Sequence, residues 1–395
     1  MQKLLALLMA AAFLASCASN DGKDDQPEEL SRKEQKKELN KKADLVKHAR
    51  ALKAKRLWSK STGGGKGRKY LYLQPAIVAD TVYVANAKGD IRALSLDKGK
   101  TKWKTKTKAD ISGGVGAYFG KLAVGTMDGQ VITLNSETGE ELWRAQTSSE
   151  ILAPPAVSGS LVVVQTVDAR VFAFNADSGK LNWSYDHKTP ILSLRGTSGP
   201  VIDGTQVLCA FDNGQIVAFS AIDGSRTWEQ RVSQPKGKTD LERIVDIDGN
   251  PVISNGLIYS ASFQGNILAL TQAAGKPIWG KEVSTHHPVA VGNGLVFVSG
   301  ERSKLTALNA QNGSLEWEHE TLRNRGAGGP AAIGRYVVVV DDDEKAHVYA
   351  QSSGEYLYRF SPPGSGFNAA PIAYLGKLYF LSNDGTLSVY SLSSR

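Results

Sequence analysis

From residue 56 onward the chain repeats one pattern of apolar and polar positions. A short apolar run, often β-branched, meets a polar turn such as Asp-Gly or Asn-Gly, and a second alternating run follows, as in "LAVGTMDGQVITLNSETGEELW" at 122–143. A further turn, with a glycine four residues before a large aromatic residue, closes the unit. Asp-Gly and Asn-Gly between alternating runs are strong hairpin signals, so each unit predicts a meander of about four short strands.

The closing aromatic residues form a ladder along the chain. All seven tryptophans stand on it, at intervals of 45, 40, 40, 45, 51 and 38 residues, and a tyrosine takes the next place 41 residues later. These residues are Trp58, Trp103, Trp143, Trp183, Trp228, Trp279, Trp317 and Tyr358. Four strands in a unit of about 40–45 residues are typical of a β-propeller blade. We therefore predict that each aromatic side chain packs between neighbouring sheets and does not belong to a ligand cage.

The two ends of the repeat complement each other. Seven complete units end at Tyr358, and an eighth begins near residue 370 and stops before its closing strand, whereas "RLWSK" at 56–60 is a closing strand without a preceding unit. Joining the two completes the last blade and pairs the two sheet edges that would otherwise stay unpaired. We predict an all-β fold over 56–395, an eight-bladed β-propeller of four-stranded antiparallel blades whose ring is closed by the N-terminal strand.

The first residues, "MQKLLALLMAAAFLASC", predict an export signal. A positive start precedes an apolar run of eleven residues, and this run is shorter than the ~20 residues needed to span a bilayer. "LASC" at 14–17 resembles the bacterial lipoprotein signal, in which the cysteine is acylated and becomes the mature N-terminus. The resemblance implies removal of residues 1–16, lipidation of Cys17 and, because Ala18 follows, an anchor at the periplasmic face of the outer membrane. Ordinary secretory cleavage with an incidental Cys17 is the alternative.

Residues 17–55 predict a flexible tether that is first acidic and then basic. The basic part, counted over residues 31–56 so that it includes the first residue of the predicted closing strand, contains eleven Lys or Arg and three acidic residues. A weakly amphipathic helix is predicted there, because four residues fall at helical spacing: Leu39, Val46, Ala49 and Lys53. Such a segment would either contact anionic lipid headgroups or act as a solvated spacer. The formal net charge of the whole chain, +8, favours an acidic partner or surface.

No constellation of residues predicts catalysis. A quinone dehydrogenase of this architecture would need several oxygen ligands that converge on Ca²⁺. The one dense acidic run, Asp341 to Glu344, follows an apolar strand and predicts a solvated turn. His286 and His287 point to opposite sides if their segment is extended, which argues against a shared metal. Cys209 alternates with apolar neighbours and is expected to be buried. We predict no enzyme activity, no metal and no cofactor.

Two consecutive links between units are longer than the others. They are "SYDHKTPILSLRGTSGPVIDGT" after Trp183 and "EQRVSQPKGKTDLERIVDIDGNPVISNG" after Trp228. Both lead from an outer strand to the next inner strand, so they should emerge side by side, and long loops on a rigid scaffold often bind partners. An apolar centre with fixed charges suits an interface hot spot. The candidate residues are Leu192, Leu194, Arg195, Arg243, Asp246 and Asp248. Alternatively, the two leucines pack under their loop and Arg195 pairs with Asp246 or Asp248.

The eightfold "TG…W" repeat resembles that of the pyrroloquinoline-quinone enzymes and, more closely, that of the BamB family of outer-membrane assembly lipoproteins. The resemblance covers the lipoprotein signal, the propeller, the closing strand and "LSLRG" at 192–196. It implies a non-enzymatic scaffold of the outer-membrane β-barrel assembly machinery, whose "LSLRG" and "DxD" loops dock on the periplasmic POTRA domains of BamA. Other assembly subunits and unfolded outer-membrane proteins are further expected partners, and nucleic acid is not. The alternative is a quinone-binding or other ligand-binding propeller related to the dehydrogenases.

Overall fold

The computed structural model describes residues 39–47, 51–67, 71–187, 198–234, 238–239 and 244–394. The chain divides into two compact units, Met1–Lys41 and Lys42–Arg395. Of the first unit only residues 39–41 are described, and they form a short turn. Among the described residues, no helix is long and apolar enough to cross a membrane.

The described residues of the second unit form 32 strands and one 3-10 turn at Glu301–Ser303. The strands make eight four-stranded antiparallel sheets, which are the blades of a propeller. They are β1 (Leu52–Ser61), β2 (Ala76–Val78), β3 (Thr81–Ala85), β4 (Asp90–Ser95), β5 (Thr101–Lys106), β6 (Ile111–Tyr118), β7 (Lys121–Thr126), β8 (Gln130–Asn135), β9 (Glu141–Gln146), β10 (Ala156–Val157), β11 (Leu161–Gln165), β12 (Arg170–Asn175), β13 (Leu181–Asp186), β14 (Val201–Asp203), β15 (Gln206–Ala210), β16 (Gln215–Ser220), β17 (Arg226–Arg231), β18 (Val252–Ser254), β19 (Leu257–Ala261), β20 (Asn266–Thr271), β21 (Pro277–Glu282), β22 (Ala290–Gly292), β23 (Leu295–Ser299), β24 (Leu305–Asn309), β25 (Leu315–His319), β26 (Ala331–Ile333), β27 (Tyr336–Val340), β28 (Ala346–Ala350), β29 (Tyr356–Phe360), β30 (Ile372–Tyr374), β31 (Lys377–Leu381) and β32 (Thr386–Ser394).

Blades 1 to 7 take consecutive quartets of strands, from β2–β5 to β26–β29, and blade 8 combines β30, β31 and β32 with β1. The second strand of a blade is apolar and buried, as in "LVVVQ" of β11, whereas the outer strand alternates between exposed and inward positions, as in "ELWRAQ" of β9. This difference follows from position, since the middle strands are covered on both faces by neighbouring blades. The prediction of eight four-stranded blades is confirmed.

The N-terminal strand closes the ring as predicted. β1 pairs antiparallel with β32, from Leu52 opposite Ser394 to Ser61 opposite Thr386. The strand begins at Leu52, four residues before the boundary predicted at residue 56. Lys53 therefore lies in a strand and not in the helix that its spacing predicted. The reason is that the long strand β32 provides backbone hydrogen-bond partners and that Leu52 is buried against blade 7.

Strand direction gives the ring two distinct faces. Antiparallel pairing places the links between blades and the turns between second and third strands at one end of the sheets, which we call the link face. The remaining turns, between first and second and between third and fourth strands, lie at the other end, the hairpin face. The two long links identified in the sequence therefore share the link face.

Each tryptophan joins its blade to the next. Nε1 of Trp103 donates to the carbonyl oxygen of Ser136 at 2.9 Å. The ring lies over Gly139, where φ is +76° and a Cβ atom would stand 2.5 Å from the ring. Glycine suits this place because it adopts a positive φ and leaves room for the ring. In the described residues the same contact recurs in the pairs Trp58–Gly99, Trp143–Gly179, Trp183–Gly224, Trp228–Gly275, Trp279–Gly313 and Trp317–Gly354. Packing of the tryptophans between sheets is confirmed.

Tyr358 ends the ladder with a different contact. The glycines that the tryptophans cover lie in turns between third and fourth strands, but in blade 8 these strands, β32 and β1, come from opposite ends of the chain. Tyr358 instead packs in a cluster with Leu52 of β1 and stacks on Phe360 at a centroid distance of 6.2 Å. Among the described residues, Tyr358 therefore contributes to the joint between blades 7 and 8 by packing with apolar side chains and not by covering a turn glycine.

Candidate partner-binding site

The two long links meet on the link face at blade 4. One runs from β13 to β14 and the other from β17 to β18. In their described ends, the backbone N–H of Gly199 donates to Oδ1 of Asn250 at 2.6 Å, and Oγ of Ser198 donates to the carbonyl oxygen of Gly249 at 3.4 Å. The links are therefore neighbours, as the sequence predicted. Leu192, Leu194, Arg195 and Arg243 lie outside the described residues, and their roles stay predictions.

The segment around the two predicted aspartates packs into the joint between blades 4 and 5. Val245 and Ile247 are buried, and Ile247 belongs to the apolar cluster of these blades. The carbonyl oxygen of Asp246 accepts from the backbone N–H of Phe263 at 2.8 Å. The Asp246 side chain is fully buried, so in this structure it supports the link from within and does not line its surface. Asp248 is only partly buried.

Three carboxylates gather at this joint. Asp212 lies in the turn between β15 and β16 and is buried near Asp246 and Asp248. Burial, followed by the charges of Asp246 and Asp212, raises the pKa of Asp248 to about 8. Among the described residues, no donor contacts the buried Oδ1 of Asp248. Such a carboxyl group can receive a guanidinium, which would satisfy Oδ1 and favour the ionised form. Two arginines of the candidate set lie in these links, so the chemistry fits the proposed pairing or a cation from a partner.

The neighbouring link, before β22, differs from its predicted geometry. The rings of His286 and His287 lie side by side with centroids 4.0 Å apart, so the expectation that they point to opposite sides is wrong. The reason is that the backbone bends at these two residues and is not extended. Within the described part of the chain, no group of three His, Cys, Asp or Glu side chains is placed to hold a metal. Cys209 is buried as expected, and burial raises the pKa of its thiol.

The acidic run on blade 7 is only partly solvated, which corrects the prediction of a solvated turn. Asp341 is buried, and its Oδ2 accepts from Nε of Arg325 at 2.8 Å and lies 3.1 Å from Nε2 of His347. Burial raises the pKa of Asp341, but hydrogen bonds from His347, the Lys345 backbone and Arg325 outweigh it and lower the pKa to about 2. Asp343 is exposed and also contacts Arg325.

A contact of the tether was missed by the sequence analysis. Nζ of Lys42 lies 2.9 Å from Oδ1 of Asp343. The backbone N–H of Ala43 donates to the carbonyl oxygen of Arg323 in the link before β26, and the carbonyl oxygen of Ala43 accepts from the Arg325 side chain. The opposite charges of the basic tether and the acidic run were visible in the sequence. Their meeting was not, because the two residues of the pair are separated by 301 positions.

Comparisons with known proteins agree on one family. The family model described as outer membrane protein assembly factor BamB matches residues 87–319 and 301–394. A protein of Pseudomonas aeruginosa with that name is 42% identical over 390 residues, which cover 99% of each chain. The crystal structure of BamB from Moraxella catarrhalis has a TM-score of 0.78 at 27% identity and covers 86% of this chain and 100% of that chain.

The quinone dehydrogenases share less with this chain. A quinohemoprotein alcohol dehydrogenase from Pseudomonas putida HK5 has a TM-score of 0.67 over 87% of this chain and 76% of that chain, with 16% identity. Identity at this level shows a common fold alone, whereas the match to the assembly factors extends through the sequence of both chains. The chain therefore belongs to the BamB family of outer membrane protein assembly factors.

Proposed function

We propose that this chain is a scaffold subunit of the outer-membrane β-barrel assembly machinery and docks on the POTRA domains of BamA through the paired links of blade 4. The observation that carries the proposal is the direct hydrogen bonding between the two links, at Gly199 with Asn250 and at Ser198 with Gly249. Because their described ends touch, the proposed docking surface combines residues of both links, with Leu192, Leu194 and Arg195 from one and Arg243 and Asp248 from the other.

The burial pattern supports a rigid base for this surface. Asp246 and Ile247 lie in the joint between blades 4 and 5, so the second link is held by the propeller on the side away from solvent. Interface residues on a pre-organised base lose little conformational freedom on binding. The two leucines, the arginines and the aspartate that the links supply are residue types that suit a partner surface with apolar and charged groups.

The proposal includes an anchor at the N-terminus. Removal of residues 1–16 and acylation of Cys17 would hold the propeller at the periplasmic face of the outer membrane, since each buried CH₂ contributes about 0.8 kcal/mol and several chains together anchor stably. Held in this way, the scaffold would help to bring other subunits and unfolded outer-membrane proteins to BamA. The sizes and sequences of those clients are not needed for the docking test.

The test is binding of the chain from residue 18 to the POTRA region of BamA. We expect Arg195→Glu to weaken binding at least about tenfold, the scale of an interface hot spot, while Lys180→Glu, on the hairpin face of blade 3, leaves it unchanged. Melting curves show that each variant is folded. Unchanged binding by Arg195→Glu would show that Arg195 is not part of the docking surface and would favour a role in packing its own loop. Absence of binding by the wild-type chain would overturn the proposal as a whole.

A further inference from the structure

The outer strands of blades 8 and 1 differ in charge from all other described outer strands. β1, "LKAKRLWSKS", carries four basic residues and no acid, and β5, "TKWKTK", carries three and no acid. The outer strands of blades 2 to 7 have net charges between −2 and +1. The two basic strands are neighbours in the ring, because blade 1 follows blade 8.

The basic side chains form one continuous surface. Lys102, Lys104 and Lys106 alternate along β5 and therefore share one side of the strand, where all three are exposed. Trp58 of β1 covers Gly99, the turn glycine before β5. This contact brings the turn against β1. We call the surface the basic rim; it consists of Lys53, Lys55, Lys60, Lys98, Lys100, Lys102, Lys104 and Lys106. Arg56 is not part of it, because it lies opposite Tyr390 on the blade 7 side of β1.

Carboxylates neutralise the basic rim only in part. Lys102 lies 2.8 Å from Asp80, and Lys104 lies 3.5 Å from Asp90. A third carboxylate, Asp97, lies in the turn beside Gly99. Exposed pairs of this kind contribute little energy and are easily exchanged. Eight basic residues against three acids leave a local excess of five positive charges.

We propose that the basic rim is a docking surface for anionic phospholipid headgroups. The basic rim is continuous with the tether, because β1 follows directly on the segment that leads to Cys17. This continuity favours a membrane over an acidic protein as the binding partner. The choice of a membrane rests on the lipid anchor of the proposed function. The tether itself contacts blade 7, next to blade 8, through Lys42 and Ala43. An acyl anchor and a basic surface together are the two signals that give stable membrane attachment.

The order of the blades adds a geometric argument. The paired links are centred on blade 4, and blade 4 lies opposite blade 8 in a ring of eight. A propeller that rests on the membrane with its basic rim would hold the paired links away from the bilayer, open to a periplasmic partner. Lipid binding and partner docking therefore use separate parts of the ring and do not compete.

The first measurement is binding of the chain from residue 18, which lacks the lipid-bearing cysteine, to phosphatidylcholine vesicles with and without phosphatidylglycerol. We expect binding only to the anionic vesicles, with loss at high ionic strength. Since each basic residue near an anionic surface raises affinity about fivefold, the triple variant Lys102→Glu, Lys104→Glu, Lys106→Glu should bind at least about tenfold more weakly.

A matched control changes the net charge by the same amount elsewhere. Lys180, Lys276 and Lys281 are exposed on blades 3 and 5, and their replacement by Glu should change vesicle binding less than about threefold. Equal losses in the two triple variants, or no binding by the wild-type chain, would overturn the proposal.

Binding of the rim variant to the POTRA region separates this proposal from the proposed function. We expect that binding to be unchanged. A rim variant that lost POTRA binding but kept vesicle binding would identify the basic rim as a surface for an acidic protein and contradict the lipid proposal. Failure of Arg195→Glu to weaken POTRA binding would affect the docking proposal alone.

Discussion

Arg325 donates a hydrogen bond from Nη1 to the carbonyl oxygen of Ala43 at 3.0 Å, across 282 positions of sequence. The backbone N–H of Ala43 donates in turn to the carbonyl oxygen of Arg323 at 2.9 Å. Because Arg325 is only 6% exposed, this contact satisfies a donor that water reaches poorly. The segment before the closing strand is therefore part of the folded second unit at the link face of blade 7.

Removal of this segment should destabilise the propeller. Compared with a chain that starts at residue 39, a chain that starts at residue 48 loses the Ala43 contacts with Arg323 and Arg325 and the exposed pair of Lys42 with Asp343. We expect its free energy of unfolding to fall by about 1–3 kcal/mol, the range for a hydrogen bond to a charged group. Urea unfolding measures the difference. Equal stability of the two chains would show that water replaces Ala43 without cost.

Loss of the Arg325 side chain should cost more than loss of the tether. Arg325→Met leaves the carboxylate of Asp341 buried with one partner fewer, and we expect a loss of about 3–5 kcal/mol at neutral pH. The pKa of Asp341 in the folded protein, about 2, lies below its unfolded value. Its ionisation therefore stabilises the fold above pH ~4, and that stability is lost as the pH falls toward 2.

In the Arg325→Met protein the folded pKa of Asp341 should rise, so the deficit against wild type should shrink in acid. Urea unfolding at neutral pH and below pH ~4 tests this. The double variant Arg325→Met, Asp341→Asn removes the buried charge and should recover part of the loss. A deficit that stays constant with pH would contradict this account of the pair.

The glycine under each tryptophan can be tested separately from its backbone conformation. Gly139→Ala forces a Cβ atom to 2.5 Å from the Trp103 ring, whereas Gly120, with φ +79°, has no atom within 4 Å of the same position. Gly120→Ala should cost about 1–2 kcal/mol for the positive φ alone. Gly139→Ala should cost about 1–3 kcal/mol more, because the ring must move in a packed joint. Thermal or urea unfolding compares them, and equal losses would show that the joint adapts freely.

Asp248 should make the fold less stable as the pH rises. Its folded pKa of about 8 lies above the unfolded value of 3.8, so the folded state binds more protons between pH ~4 and ~8, and stability falls across that window. Asp248→Asn mimics the protonated form and should flatten the curve, with a higher melting temperature than wild type near pH 8. A lower melting temperature at neutral pH would mean that an arginine holds Asp248 ionised, and would favour internal pairing with Arg195.

The number of blades and the closure of the ring were predictable because both follow from local patterns. A hairpin needs only alternating residues and a turn that accepts a positive φ, and these repeat within each unit. The tryptophans indicated where neighbouring blades pack against each other. An indole ring that covers a glycine of the next blade requires both residues at a constant position in the repeat. The closing strand was predictable because the last repeat, at the C-terminal end, lacked its fourth strand and the N-terminal end carried one strand without a repeat of its own.

The depth of individual charged residues could not be predicted in the same way. Asp341 stands in a run of charged residues and Asp246 stands in a long link between blades, and both were expected to be accessible, yet both are buried. Their burial depends on their surroundings, which are the joint of blades 4 and 5 for Asp246 and the Arg325 side chain for Asp341. The start of β1 at Leu52 likewise depends on how far β32 extends beside it.

Local alternation and turn chemistry were thus enough to predict eight blades and their order, whereas the family of the chain followed from resemblance and from the matches to known proteins. Three features became visible only in the tertiary structure. They are the contact of the tether with Arg325, the side-by-side rings of His286 and His287, and the adjacency of the lysines on blades 8 and 1. The tether contact and the adjacency of the lysines depend on contacts between distant parts of the chain, and the paired histidine rings depend on a local bend of the backbone. The repeat pattern encodes none of these three features, because each occurs at only one place in the ring.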